Sequence, residues 1–339
     1  MIHDGLSFHN VTDLRAVEDR AGLVIQRVPE RTRVELNEGA QDNYRRPAGS
    51  EIRFVPEGTV EVTLSAPEHA TEVRPFWGPF QAREQFEIGE EPTTIELEFP
   101  ERLADVREDV ADDYAHHPRV CRLVLPHRSK PVFYHGVAGD TRPPREAELP
   151  DQTLLAYGTS ITRGIAATAP HLTYVAQTAR RLGTDALNLG TAGSAFCEPE
   201  IADHMAARDD WDAATLALSV NMVAGFDVPE FRERVRYVVE TVAGENPERP
   251  VVAITLFPYF PDLCTGDHED HANYGAYRDA LREAVAEADC DNLHLVEGPD
   301  LMPGGRGLTT DLVHPGDDAM IDVGVALADE LAPLLEGGR

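Results

Sequence analysis

The sequence predicts an α/β chain of two domains. An all-β, jelly-roll-like sandwich over residues 1–145 is followed by a three-layer, flavodoxin-like domain with a five-stranded parallel sheet over 151–339. Three observations predict it. The length of 339 residues exceeds one typical core. The hydrophobic period changes near residue 150. At that change stands Thr141-Arg-Pro-Pro-Arg-Glu-Ala-Glu-Leu-Pro150, a polar, proline-rich stretch suited to a linker.

Before the linker, short alternating runs recur: Gly58 to Ser65, Thr93 to Phe99, Val120 to Leu125 and Pro131 to His135. Alternation marks strands with one wet face, and Gly and Pro punctuate them at sandwich-like spacing. After Asp151, continuous apolar runs take over at 154–157, 186–189, 214–220, 251–257 and 293–296. Helical periods fill the gaps near 171–182, 198–207, 229–243, 271–288 and 316–335. Buried strands interleaved with helices mean a parallel sheet covered on both faces. Ligands of such sheets sit beyond the carboxyl ends of the strands. No internal repeat or low-complexity segment is present.

Sixty acidic residues against 30 basic ones give a formal net charge of -30, and Lys130 is the sole lysine. The charge is spread over both halves, which suits a salt-rich cytoplasm where ions screen self-repulsion over a few ångström. Sequence-independent nucleic-acid binding is excluded by the lack of clustered cations. The segment Met1-Ile-His-Asp-Gly-Leu-Ser lacks the basic and apolar regions of a signal peptide, and no run approaches a membrane span. Cys121, Cys197, Cys264 and Cys290 show no CxxC spacing, so reduced thiols in a cytoplasmic protein are expected.

The chemistry concentrates in four places, each after a different apolar run. Leu154-Leu-Ala-Tyr-Gly-Thr-Ser160 ends a strand on a serine, and Asn188-Leu-Gly-Thr-Ala-Gly193 ends the next on a glycine. Leu218-Ser-Val-Asn221 offers an amide, and Asp311-Leu-Val-His314 offers a base with its orienting carboxylate on one loop. Singly, each residue has a plainer reading. Ser160 suits a helix cap, Gly193 a positive φ, Asn221 a bond within its own loop, Asp311 a cap and His314 a loop histidine. Together they supply what acyl transfer needs: a nucleophile, a base, a group that fixes the base's tautomer, and donors for an oxyanion.

On these residues, the second half resembles the SGNH hydrolases, or GDSL-type esterases, over roughly 151–335. Gly158-Thr-Ser160-Ile-Thr is similar to the first block, Gly193 to the second, Asn221 to the third and Asp311-Leu-Val-His314-Pro to the last. The resemblance implies Ser160 as nucleophile, His314 as base and Asp311 as its partner. It implies Ser160, Gly193 and Asn221 as the oxyanion hole. By architecture the whole chain is similar to a branch with a β-sandwich ahead of this domain, seen among carbohydrate esterases and related acyltransferases. Thr159 stands where the first block usually has Asp, and Ser219-Val-Asn221-Met222 replaces Gly-x-Asn-Asp. Thr162 replaces the glycine that an α/β-hydrolase elbow requires.

The expected function is therefore hydrolysis of short-chain acyl esters, with O-acetylated carbohydrates as the candidate substrates. No cofactor, metal, nucleic acid or membrane is expected. Alternatives are an acyltransferase using the same groups, or a carbohydrate-binding protein with an inactive hydrolase half. Self-association through the sandwich is also open, a two-fold dimer being the commonest oligomer.

Four weaker signals remain. His268 and His271, among the carboxylates of Gly266-Asp-His-Glu-Asp-His271, read as an acidic helix cap rather than a metal loop. Phe257-Pro-Tyr-Phe-Pro261 lines a pocket or packs under a loop, and Trp77 serves a sugar subsite or a core. Arg163 reads as a surface salt link, with an anion contact as the alternative.

Overall fold

The computed structural model describes residues 1–266 and 268–337. It divides into two compact units. The first comprises residues 1–30, 44–152 and 183–187, and the second 31–43, 153–182 and 188–339.

The first unit holds two antiparallel sheets. One runs Ile2–His3, Leu6–His9, Glu51–Pro56, Cys121–Val124, Thr71–Trp77 and Phe80–Gln81. The other runs Thr93–Leu97, Val60–Ser65, Phe133–Ala138, Arg20–Gln26 and Asp13–Val17. The alternation seen in the sequence explains the pairing. Ile95 opposes Val62 and Leu97 opposes Val60, so both strands bury the same face, while Thr94 and Thr63 meet outside it with hydroxyls 3.0 Å apart. Side chains from both sheets share one core, including Phe8, Ile25, Phe54, Leu64, Trp77 and Leu123. Trp77 is thus a core residue, packed edge-on against Phe99.

The five-stranded sheet is ordered Asp185–Asn188, Thr153–Gly158, Ala213–Ala217, Val251–Ile254, Leu293–Val296. In chain order this is 2-1-3-4-5, the flavodoxin-like order, whose crevice opens where the first strand lies between the second and third. The strands Ala213–Ala217 and Val251–Ile254 are buried along their whole length, as their unbroken apolar composition requires. Helices Tyr174–Leu182, Pro199–Ala206, Val228–Gly244, Tyr274–Glu287 and Asp317–Gly337 accompany the sheet. A side chain at Gly324 would sit 2.5 Å from Gln177 Cβ, so glycine lets the last helix pack closely on Tyr174–Leu182.

Two expected strands are shorter than their apolar runs, ending at Ala217 and Ile254. Leu218, Leu256 and Phe257 are buried in the loops that follow, and burial without pairing gives the same apolar pattern. The expected helix at 171–182 is split, a 3₁₀ turn Pro170–Leu172 preceding Tyr174–Leu182. Thr173 separates them, its hydroxyl accepting from Ala176 N–H as a cap does. Among the described residues no helix is long and apolar enough to cross a membrane, and the four cysteines form no disulfide.

Candidate active site

The strand Thr153–Gly158 delivers Ser160 into a one-turn helix, Ser160–Arg163. Thr159 is the cap, its hydroxyl accepting from Ile161 N–H, and Gly164 closes the turn in the left-handed region at φ 86°. Ser160 is therefore the first residue of the helix, and its own N–H is one that a helix start leaves without an intrahelical acceptor. The sharpness of this turn demands Gly158. A Cβ there would fall 2.3 Å from Thr162 Oγ1 and 2.7 Å from the Ala217 carbonyl.

Ser160 and His314, 154 residues apart, meet with Oγ 2.8 Å from Nε2. His314 Nδ1 lies 2.7 Å from Asp311 Oδ2. Asp311 also accepts from the backbone N–H groups of Val313 and His314 through Oδ1, each at 2.9 Å, and from the Thr309 hydroxyl at 2.8 Å. Burial pushes this carboxyl up. The hydrogen bonds from His314 backbone and ring, from Val313 and from Thr309 outweigh it and hold the pKa well below the usual carboxylate range.

An ionised Asp311 can only accept, so Nδ1 of His314 carries the proton and Nε2 presents its lone pair to the Ser160 O–H. The loop is closed by Thr309 N–H to His314 carbonyl at 2.8 Å, with Leu312 in the left-handed region at φ 54°. Phe260 N–H donates to the Leu312 carbonyl at 2.8 Å, tying the fourth strand's loop to this one.

The Gly193 loop continues along the first strand. Leu189 N–H donates to Ala156 and Thr191 N–H to Gly158, at 2.7 and 2.9 Å. Asn188 joins it to the serine turn, donating to the Thr162 carbonyl at 2.8 Å and accepting from Gly190 N–H at 2.9 Å. Gly193 has φ 66°, and its N–H donates no hydrogen bond among the described residues. Asn221 turns its Oδ1 to Ala195 N–H at 3.2 Å. It thus bonds the second loop rather than its own backbone, and its Nδ2 is left as the donating end. Ser160, His314 and Asp311 are joined in one hydrogen-bonded chain. Gly193 and Asn221 are joined through the 192–195 loop.

Ser219 is the irregular member. It stands at φ 132°, its side chain is buried, and its hydroxyl has no partner among the described residues. That conformation favours glycine, which is the residue usual there in the motif.

Arg163, expected at the surface, is buried. Arg163 is only 2% exposed and donates through one terminal nitrogen to Asn43 Oδ1 at 2.8 Å. Phe257 and Tyr259 are buried and pack beneath the loop, while Phe260 is half-buried. Tyr259 O meets His271 Nδ1 at 3.1 Å, and Phe260 stacks edge-on against His268 and His271. Among the described residues no group of three or more His, Cys, Asp or Glu is placed to hold a metal ion. Asp267 of that loop lies outside the described residues. Sequence reasoning missed Asn43, Asn37 and Asn188. Only the small polar composition of Asn37-Glu-Gly39 hints at a capped turn near the first two.

The profile of the GDSL-like lipase/acylhydrolase family matches residues 151–336, more than half of the chain. The chain belongs to the GDSL-like lipase/acylhydrolase family. Membership makes it an esterase. No curated protein matches the sequence. Solved structures show where the fold recurs. A salicylyl acyltransferase from a tetracycline biosynthetic pathway superposes with TM-score 0.76 at 16% identity, covering 97% of this chain and 95% of its own. A GDSL-like lipase homologue from Bacteroides ovatus gives 0.71 at 17% identity, covering 98% of both chains. A family two carbohydrate esterase from Clostridium thermocellum, solved with cellohexaose, gives 0.60 at 15% identity, covering 87% and 94%. At these identities the likeness is one of fold, sandwich included.

Proposed function

We propose that this GDSL-family protein is a serine acylhydrolase of short-chain acyl esters, with O-acetylated carbohydrates as its substrate class. The observation that carries the reading is the unbroken chain from Ser160 Oγ through His314 to an Asp311 held ionised. Ser160 attacks the ester carbonyl while His314 Nε2 takes its proton, and Asp311 stabilises the imidazolium so formed. The N–H groups of Ser160 and Gly193 and the Nδ2 of Asn221 receive the oxyanion. His314 then returns the proton to the leaving alcohol, and water releases the acid from the acyl-enzyme by the same steps. Each step uses only side chains, backbone and water. The carbohydrate esterase among the structural neighbours supports the sugar-ester class.

A second reading, acyl transfer to an alcohol acceptor, is favoured by the acyltransferase neighbour and needs the same groups. The spread of negative charge supports action in a salt-rich cytoplasm. One functional half spans residues 1–145 and the other 151–339.

The test is hydrolysis of p-nitrophenyl acetate, butyrate and octanoate in molar KCl beside Ser160→Ala, followed by acetylated sugars. Activity that falls with acyl length and is lost in the variant is expected. Equal rates for wild type and variant would sink the reading. Ester formation outpacing hydrolysis when an alcohol is added would favour transfer.

A further inference from the structure

The segment 31–43 lies far ahead of the hydrolase motif in sequence yet belongs to the same compact unit. Its helix Glu38–Asn43 starts at Asn37, whose Oδ1 accepts from Ala40 N–H at 3.0 Å as a cap. Asn37 Nδ2 donates to the Ser194 carbonyl at 3.0 Å and to Glu198 Oε1 at 2.7 Å. One helix later, Asn43 grips Ala192 from both sides. Its Oδ1 accepts from Ala192 N–H at 3.1 Å, and its Nδ2 donates to the Ala192 carbonyl and to Ser194 Oγ, each at 3.2 Å.

The amide cannot be turned around. Arg163 and the Ala192 N–H are both donors, so the oxygen must face them. A further bond from Nδ2 to the Gly39 carbonyl, at 2.7 Å, ties the amide to its own helix. Contact between the helix and the loop is close. A Cβ on Gly39 would stand 2.9 Å from Ser194 Cβ, so only glycine fits. Asn43 is 4% exposed and Arg163 2%, so water does not compete for these bonds.

Of the residues on either side of Gly193, Ala192 is therefore held by Asn43 and Ser194 by both Asn43 and Asn37, while Arg163, three residues past the nucleophile, holds Asn43. We propose that Asn43, assisted by Asn37, is a positioning residue that sets the direction of the Gly193 N–H relative to Ser160. This rests on the proposed role of Gly193 as an oxyanion donor. Asn43 touches neither substrate nor reacting atoms, and it acts by denying the 192–194 loop the freedom to turn that N–H away. An oxyanion donor is worth most when it is already aimed, and small misplacements are costly.

The test uses the full chain with Asn43→Ala and the isosteric Asn43→Asp. The aspartate keeps acceptors for Arg163 and Ala192 N–H but sets an oxygen against the Ala192 carbonyl. Its charge pairs with Arg163, which protects folding. Expected for both is a kcat on p-nitrophenyl acetate lowered about 10- to 100-fold, KM within about threefold, and the inhibition constant of a small alkylboronic acid raised by the factor lost in kcat/KM. The boronate forms a tetrahedral adduct on the serine and so reads the oxyanion hole directly. A variant that melts earlier but keeps wild-type kcat and boronate affinity per folded molecule, by circular dichroism, overturns the proposal and leaves the esterase reading intact. Wild-type hydrolysis no faster than that of Ser160→Ala overturns both.

Discussion

Two polar assemblies, one in each unit, use the same elements to opposite ends. In the sandwich unit, Arg53 makes a paired contact with Asp185, both bonds 2.6 Å, and another with Glu51 at 2.8 Å. Arg122 donates to Glu51 as well, and His9 and His116 flank Asp185 at 3.6 and 3.4 Å. Every charge there is met by another, and Arg53 is 2% exposed. In the catalytic unit, Asp311 has a side chain 51% exposed and its histidine one 21% exposed, and that histidine ends on a serine instead of a counter-charge. A sealed network spends its polarity on itself and specifies structure. An open one that ends on a hydroxyl keeps a proton acceptor available for chemistry.

Breaking each assembly at its carboxylate or its cation sharpens the contrast. Asp311→Asn removes the acceptor that fixes the His314 tautomer, and kcat is expected to fall about 10³- to 10⁴-fold with little change in melting temperature. Initial rates and calorimetry on one preparation check both halves of that statement. Arg53→Met leaves Glu51 and Asp185 buried without their shared cation. Denaturant titration should show a loss of about 3–5 kcal/mol, while turnover per folded molecule stays at the wild-type value. Unchanged stability would mean that the sealed network is not a structural element.

Acid separates the two assemblies again. Burial first, then Arg122 and Arg53, lower the pKa of His116 to about 4, outweighing the opposing pull of Asp185, 3.4 Å from its Nε2. The unfolded chain takes up this proton at higher pH than the folded one. Stability is therefore complete above the unfolded value of 6.5 and is lost as pH falls from there toward about 4, by on the order of 3 kcal/mol. Below that, Glu51 and Asp185 add their own losses. Burial opposes their ionisation, but Arg122 and Arg53 hold Glu51, and Arg53 holds Asp185, well below the usual range. His9 and His204 are lowered by burial in the same direction, so His116→Gln should reduce, not abolish, the fall in melting temperature between pH 6.5 and 4, and a slope as steep as wild type would assign the loss to the other histidines. Asp311, held well below the usual carboxylate range, stays ionised through this window, so acid inactivation there does not start at its carboxyl.

The smallest expected effect lies between the catalytic strands. Ser219→Gly relieves a left-handed backbone and removes a buried hydroxyl without a partner, against the entropy cost of glycine. A net gain of about 1 kcal/mol in chemical denaturation is expected. A loss would show that the hydroxyl is engaged.

Much of the catalytic unit could be read from its residues one stretch at a time. The strand at 153–158, the serine turn and the Asp311–His314 loop carry their own signals, because a strand's burial, a turn's glycine and a three-residue spacing are local properties. Arg163 could not be read that way. An arginine three residues past Ser160 looks exposed until its partner, Asn43, arrives from 120 positions earlier. The histidines of the 266–271 segment were equally ambiguous, and it is their packing on Tyr259 and Phe260 that occupies them.

The sequence by itself determined the class of the two units, the order of the five parallel strands along the chain, and the residue types able to perform acyl transfer. Hydrophobic period and turn chemistry report which side of each element is buried, and these need no knowledge of distant neighbours. Tertiary structure alone decided that residues 31–43 join the hydrolase unit, that Arg163 is buried, and that Ser160 meets His314 at hydrogen-bond distance. Such pairings depend on which buried donors and acceptors the fold brings together, and every buried polar group must find a partner whose position no local pattern encodes.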